Sequence, residues 1–223
     1  LAAMACIVIL SSTARADATK CRGTIIEAAG RLVRAKAKAL QKCEDAKLKG
    51  ELAADTVCVK DGTTGLAFTK ANVKIFKSVR AACGGKNKKC GNPFAADDDP
   101  LVSIGWDITR CPNFEAGLCD HAITNCGEIA SCLECLSDAV AAQAVGVDYA
   151  ALVPTDPNSK DKIVKALHKC QATIGKSAAG FLAARSKALG KCWATVNKAG
   201  AGSCPDGAAS AVIAKAESKR VAG

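Results

Sequence analysis

A cysteine stands at each end of one amphipathic segment, and that segment occurs twice in the chain. Lys20 to Cys43 reads KCRGTIIEAAGRLVRAKAKALQKC, and Lys169 to Cys192 reads KCQATIGKSAAGFLAARSKALGKC. They align without a gap and share both cysteines, the Thr-Ile pair and the ending K-A-L-x-K-C. In the first copy Cys21, Ile25, Ala28, Leu32, Ala35, Ala39 and Cys43 fall at steps of three and four. That spacing is one stripe of an α-helix. Cys170, Ile174, Ser177, Phe181, Ala184, Ala188 and Cys192 repeat it, while Arg31, Arg34, Lys38 and Lys42 lie off the stripe, toward solvent. The two cysteines of a copy cannot bond to each other. The helix between them spans about 33 Å, and a disulfide needs Cα atoms within roughly 7 Å. Each cysteine needs a partner on a second helix folded back along the first.

That second helix is predicted from Asp61, a fitting N-cap, to about Cys83, with Leu66, Val73, Phe76 and Val79 as its apolar side. Its length matches the first. Folding it back puts Cys58 beside Cys43 and Cys83 beside Cys21, so Cys21–Cys83 and Cys43–Cys58 are the expected bonds. Asp206 to Lys219 resembles Asp61 to Lys74, which makes Cys192–Cys204 the third. By the same register Cys170 needs a partner near position 228, so it is expected to be unpaired, and the chain reads as a fragment truncated at both ends.

Between the copies lies a different segment. Asn92-Pro93, Asp97-Asp98-Asp99-Pro100 and Cys111-Pro112-Asn113 read as loop or turn, and Glu128 to Val145 reads as a helix. Cys90, Cys111, Cys119, Cys126, Cys132 and Cys135 could form three further disulfides in any of fifteen pairings. Charge follows the same division. Residues 17–90 hold 17 Lys/Arg against 7 Asp/Glu, residues 91–157 hold 1 against 11, and residues 158–223 hold 12 against 3. The expected architecture is all-α: residues 17–90 a helical hairpin, 91–157 an acidic Cys-rich module with loops and a helix, and 158–223 a second, truncated hairpin.

Residues 1–16 read as part of a secretory signal. Leu1 to Leu10 is apolar, and Ala14-Arg15-Ala16 is an A-x-A cleavage site. Ten apolar residues are too few to span a bilayer, which needs roughly 20, and no later stretch reads as a transmembrane helix. A secreted or periplasmic chain meets an oxidising compartment, where thiols pair. Aromatic residues make up only 4% of the chain. A core of Ala with a few larger apolar residues buries little area per residue, and cross-links offset that weakness.

The repeat and the run from Ala122-Ile123-Thr124-Asn125-Cys126 through Ser131-Cys132-Leu133-Glu134-Cys135 resemble uncharacterised secreted, Cys-rich helical repeat proteins predicted from environmental bacterial genomes. The resemblance covers most of the mature chain. It implies export and the repeat architecture, and no activity.

No catalytic signature stands out. Nucleophilic hydrolysis needs a base beside a Ser or Cys. His121 and His168 are the only histidines, neither is in a recognisable motif, and G-x-S-x-G is absent. Cys119, His121, Cys126, Cys132 and Cys135 contain enough ligands for tetrahedral zinc, but in an oxidising compartment a disulfide cluster is the simpler reading. A c-type haem needs C-x-x-C-H, and Leu136 stands where that His would be. Asp97, Asp98 and Asp99 could hold Ca²⁺ through carboxylate oxygens, without the spacing of an EF-hand. No cofactor is expected. Nucleic acid is disfavoured as a partner because the basic helices lack the aromatics that stack on bases. The expectation is a non-enzymatic structural or interaction protein. It would act by self-association or by binding an anionic envelope or matrix polymer. A metal-binding or thiol-redox protein and an exported enzyme are the alternatives.

Overall fold

The structure, a computed structural model, describes residues 17–91, 97–114, 118–150, 153, 156 and 158–222. Residues 1–16, expected to be part of a secretory signal, lie outside the described residues. The chain is all-α. Among the described residues it has five helices, two short 3₁₀ turns (Cys58–Lys60 and Leu101–Ile104) and no strand. The nearest approach to a sheet is one isolated bridge between Arg110 and Ala122.

Helix α1 (Ala18–Leu48) is capped by Asp17, whose side chain accepts from Thr19 N and Lys20 N at 3.0 and 3.2 Å. This satisfies donors the first turn leaves free. Its buried face is Cys21, Ile25, Ala28, Leu32, Lys36, Ala39, Leu40 and Cys43. The seam therefore passes through Lys36, and Ala35 is exposed. Helix α2 (Gly62–Cys83) starts at Asp61, whose carboxylate accepts from Thr64 N at 2.9 Å. Its buried face is Thr64, Ile75, Val79, Ala82 and Cys83. Leu66 and Val73, expected on the apolar side, are 64% and 60% exposed. At roughly 100° per residue they lie about 160–180° round the helix from Ile75.

Helix α3 (Cys126–Tyr149) extends beyond the expected Glu128–Val145 at both ends. Asn125 caps it, and the Glu128 carboxylate reaches back to accept from Thr124 N at 2.6 Å. It is the one helix among the described residues long and apolar enough to cross a membrane, which corrects the expectation that no such stretch exists. Its face of Ile129, Ala130, Cys132 and Ala141 is fully buried against the rest of the chain, which accounts for the apolar composition. Helix α4 (Lys162–Ala199) begins eight residues before Cys170 and ends at Gly200, whose left-handed φ of 75° suits glycine. Helix α5 (Gly207–Ala222) folds back on the second half of α4.

Helix α1 is the hub, packed by α2, α3 and α4, while α5 packs on α4. The largest core cluster joins Cys21, Ile25, Leu32, Ile75 and Val79 of the first hairpin to Ile104, Ile123, Ile129 and Ala130 of the acidic segment. Residues 17–90 and 91–157 thus share one core. The second hairpin has a thin one: Ala188, Cys192 and Ala209, with Cys204 and Ile213 against them. Cys21–Cys83, Cys43–Cys58 and Cys192–Cys204 are all disulfides. Each closes a hairpin end and contributes roughly 3–4 kcal/mol by restricting the unfolded chain.

Candidate functional site

The six cysteines of the middle segment resolve into Cys90–Cys126, Cys111–Cys132 and Cys119–Cys135. The structure thereby removes the ligand set Cys119, His121, Cys126, Cys132 and Cys135. All four cysteines are oxidised, and metal binding needs thiolate. Sγ atoms of Cys90 and Cys126 lie with an Asp98 oxygen inside a metal-sized space, but those two sulfurs are bonded to each other. His121 is half-buried, with Nε2 3.3 Å from Glu128 O. Its backbone carbonyl accepts from Cys111 N at 2.9 Å, so the residue ties the loop to the start of α3. His168 sits on α4 beside Lys38, Gln41 and Asp45 of α1, at the edge of an open groove.

The three consecutive aspartates do not converge on a cation. Asp97 accepts from Lys86 N at 2.7 Å and from Asn87 Nδ2 at 2.7 Å. Asp98 accepts from Gly91 N at 3.0 Å. Asp99 is buried, and burial, with Asp17 and Asp98 nearby, pushes its carboxyl above the usual carboxylate range.

Two further polar groups inside the fold were not legible as special. Lys36 is fully buried, with Nζ 2.9 Å from Glu134 O, 2.5 Å from Asp138 Oδ1 and 5.3 Å from the Phe68 ring centre. Burial holds its ammonium below the usual lysine range, although Asp138 and Glu134 oppose that shift. Tyr149 donates to Asp45 Oδ1 at 2.5 Å, and burial, then that carboxylate, raises its phenol above the usual tyrosine range. These groups tie α3 to α1.

The open surface carries the charge. A groove of about 730 Å³ runs between the first half of α1 and the second half of α4. Lys20, Arg34, Lys187, Lys191 and Lys198 line it, against Asp17 and Glu27. Glycines of α1 lie where it faces α4. The Cα of Gly30 faces Ser186, and Gly23 faces Asn197, with ordinary or tight contact awaiting any Cβ. Arg34 donates to Ser186 Oγ at 3.1 Å, and Asn197 Nδ2 donates to Thr19 O at 2.8 Å. Arg34 was expected to face solvent; instead it bridges the two copies of the repeat. A second groove, about 560 Å³ between α1 and the start of α2, has Lys38 and Lys42 beside Ala39, Leu52 and Thr64.

Cys170 is a free, exposed thiol. It lies on α4 among Ile163, Leu167 and Ile174, which are 78%, 45% and 43% exposed. The aligned residues of α1, Cys21 and Ile25, are buried beneath α2 and the acidic segment.

No protein-family model, curated protein or solved structure matches the chain.

Proposed function

We propose that this chain is a non-enzymatic structural or interaction protein of the cell envelope or exterior, which holds anionic polymer on its basic helices and assembles with its neighbours. Six disulfides fit an oxidising compartment. Secretion or export to a periplasm is the finer reading, supported by the signal-like residues 1–16. The groove between α1 and α4 carries the reading of adhesion. Five cations and two anions line one groove, together with the small residues Gly23, Gly30, Ser186, Gly190 and Ala194. Such a surface attracts polyanions through summed charge rather than through a fitted pocket. None of the residues lining this groove comes from the acidic segment 91–157, and complementary charge of that kind can draw copies together.

The test uses dextran sulfate as the polyanion and the disulfide-bonded chain. Binding at low salt that weakens as salt screens the charges, and that falls when Lys187 and Lys191 are both changed to Glu, is the expected result. The absence of both polymer binding and self-association at low salt would overturn the proposal.

A further inference from the structure

We infer that the basic groove between α1 and α4 is one half of a longer track, which takes a single extended strand of a linear polyanion charged at every repeat. The inference rests on the proposed function and deepens it by naming the shape and length of the ligand.

A second groove, of about 360 Å³, lies between the same two helices toward the C-terminal end of α1. Lys38, Lys42, Lys49, Lys176 and His168 line it, against Asp45. Helical phase puts both grooves on one side of the seam. Lys38 follows Lys20 by 18 residues, which is five whole turns, and Lys176 precedes Lys187 by 11 residues, three turns to within about 20°. Between the grooves α4 presents Gly180, which has open space beside it. From Lys20 to Lys49 the track is about 44 Å long at roughly 1.5 Å per residue. It is not the surface along which α5 runs, since Lys176 lies about 140° round α4 from Phe181, which lines the groove shared with α5.

The cations of this track are uncompensated. Lys20, Lys38, Lys42, Lys176, Lys187 and Lys191 have no ion-pair partner among the described residues. The carboxylates along it are engaged by the chain itself. Asp17 accepts from Thr19 N and Lys20 N, Glu27 pairs with Arg31, and Asp45 accepts from the Tyr149 hydroxyl.

The lining selects the ligand. Apart from Arg34 and His168 its cations are lysines, point charges without the planar fork that matches one carboxylate or phosphate. No aromatic residue among the described ones lines either groove, so stacked bases find no platform. What such a track matches is the run of charge along a strand. A short strand fills one groove. A longer strand that already holds one groove meets the other at high effective concentration.

The disulfide-bonded chain is titrated with two oligoglutamates blocked at both ends, of 6 and 14 residues, which reach at most about 22 and 50 Å. Salt is held at about 0.1 M, where exposed charges more than roughly 10 Å apart are screened from each other. The longer strand is expected to bind more than about tenfold tighter. Lys38→Gln with Lys176→Gln is expected to remove most of that gain and to leave the short strand within about twofold, because the other groove keeps its five cations. Lys74→Gln with Lys77→Gln removes the same charge from α2, outside both grooves, and is expected to change neither strand by more than about twofold. All four lysines are exposed. A length gain of about tenfold or less overturns the inference. So does an equal loss for both strands in Lys38→Gln with Lys176→Gln, or the same loss from the α2 variant, which is attraction to net charge alone. Dextran sulfate binding is measured on the same samples. If it persists without the length effect, only this inference is lost; if dextran sulfate does not bind either, the adhesion half of the proposed function fails with it.

Discussion

Lys36 Nζ lies 2.5 Å from Asp138 Oδ1, inside the seam where α1, α2 and α3 meet. The lysine is fully buried, whereas the aspartate side chain is about half exposed. A buried ion pair recovers its desolvation cost only while both partners are present. Lys36→Met should therefore range from neutral to about 2 kcal/mol more stable, because Asp138 can return to water. Asp138→Ala should cost roughly 3 kcal/mol by leaving the buried ammonium without its ion-pair partner, held by Glu134 and the Phe68 ring alone. Urea unfolding of the two variants checks the opposite signs.

Gly175 shows a second reversal of sign. On an exposed helix surface Gly→Ala stabilises by roughly 0.5–1 kcal/mol. A Cβ on Gly175 would overlap the phenol of Tyr149, whereas Gly180 has open space beside it. Gly180→Ala should raise the Tm, and Gly175→Ala should lower stability by roughly 1–3 kcal/mol through overpacking. In a Tyr149→Phe background the Gly175→Ala penalty should shrink, since the oxygen nearest to the new carbon is gone. A double-mutant cycle reads that coupling.

The Cys192–Cys204 bond holds α5 against a core of only a few residues. A 16-residue helix with so little packing is marginal alone. Changing both cysteines to Ala should detach α5 before the rest unfolds. Hydrogen exchange should show the amides of 207–222 losing protection while those of α1 and α3 keep theirs. Simultaneous loss throughout the chain would contradict this.

Asp99 sets a pH dependence. Its folded pKa is raised by burial and then by Asp17 and Asp98. A raised acid favours the folded state fully below its unfolded pKa of about 3.9, and that contribution is lost as pH rises through the folded value. Asp99→Asn removes the titration. The Tm of the variant relative to the unaltered chain should thus increase between pH 4 and pH 7. A constant difference across that range would show that Asp99 titrates alike in both states.

The fold class was legible because cysteines at both ends of a helical stripe permit few arrangements. Once Cys21 and Cys43 cannot reach each other, a returning helix from Asp61 to Cys83 places the Cys21–Cys83 and Cys43–Cys58 bonds. Lys36 escaped the same reading because a lysine in a basic helix looks solvated. Its partners, Glu134 and Asp138, arrive from about a hundred residues away. Leu66 and Val73 misled because an apolar residue marks a core only when its phase agrees with its neighbours. The middle pairings depend on how the loop from Asp97 to Ile123 lies over α3, which local spacing does not encode. The basic groove depends on α1 meeting α4, a contact between two repeats that are separate in sequence.

The connectivity of the bonds bears on biogenesis. Among the described residues only Cys43–Cys58 and Cys192–Cys204 join cysteines that follow one another along the chain. Cys21–Cys83 encloses another bond, and Cys90–Cys126, Cys111–Cys132 and Cys119–Cys135 interleave. An oxidase that joined these thiols strictly in chain order would form none of the six bonds, because it would begin with Cys21 and Cys43. Maturation of this chain therefore calls on an isomerase that reopens early bonds, or on helices that form before oxidation and keep Cys21 out of reach of Cys43.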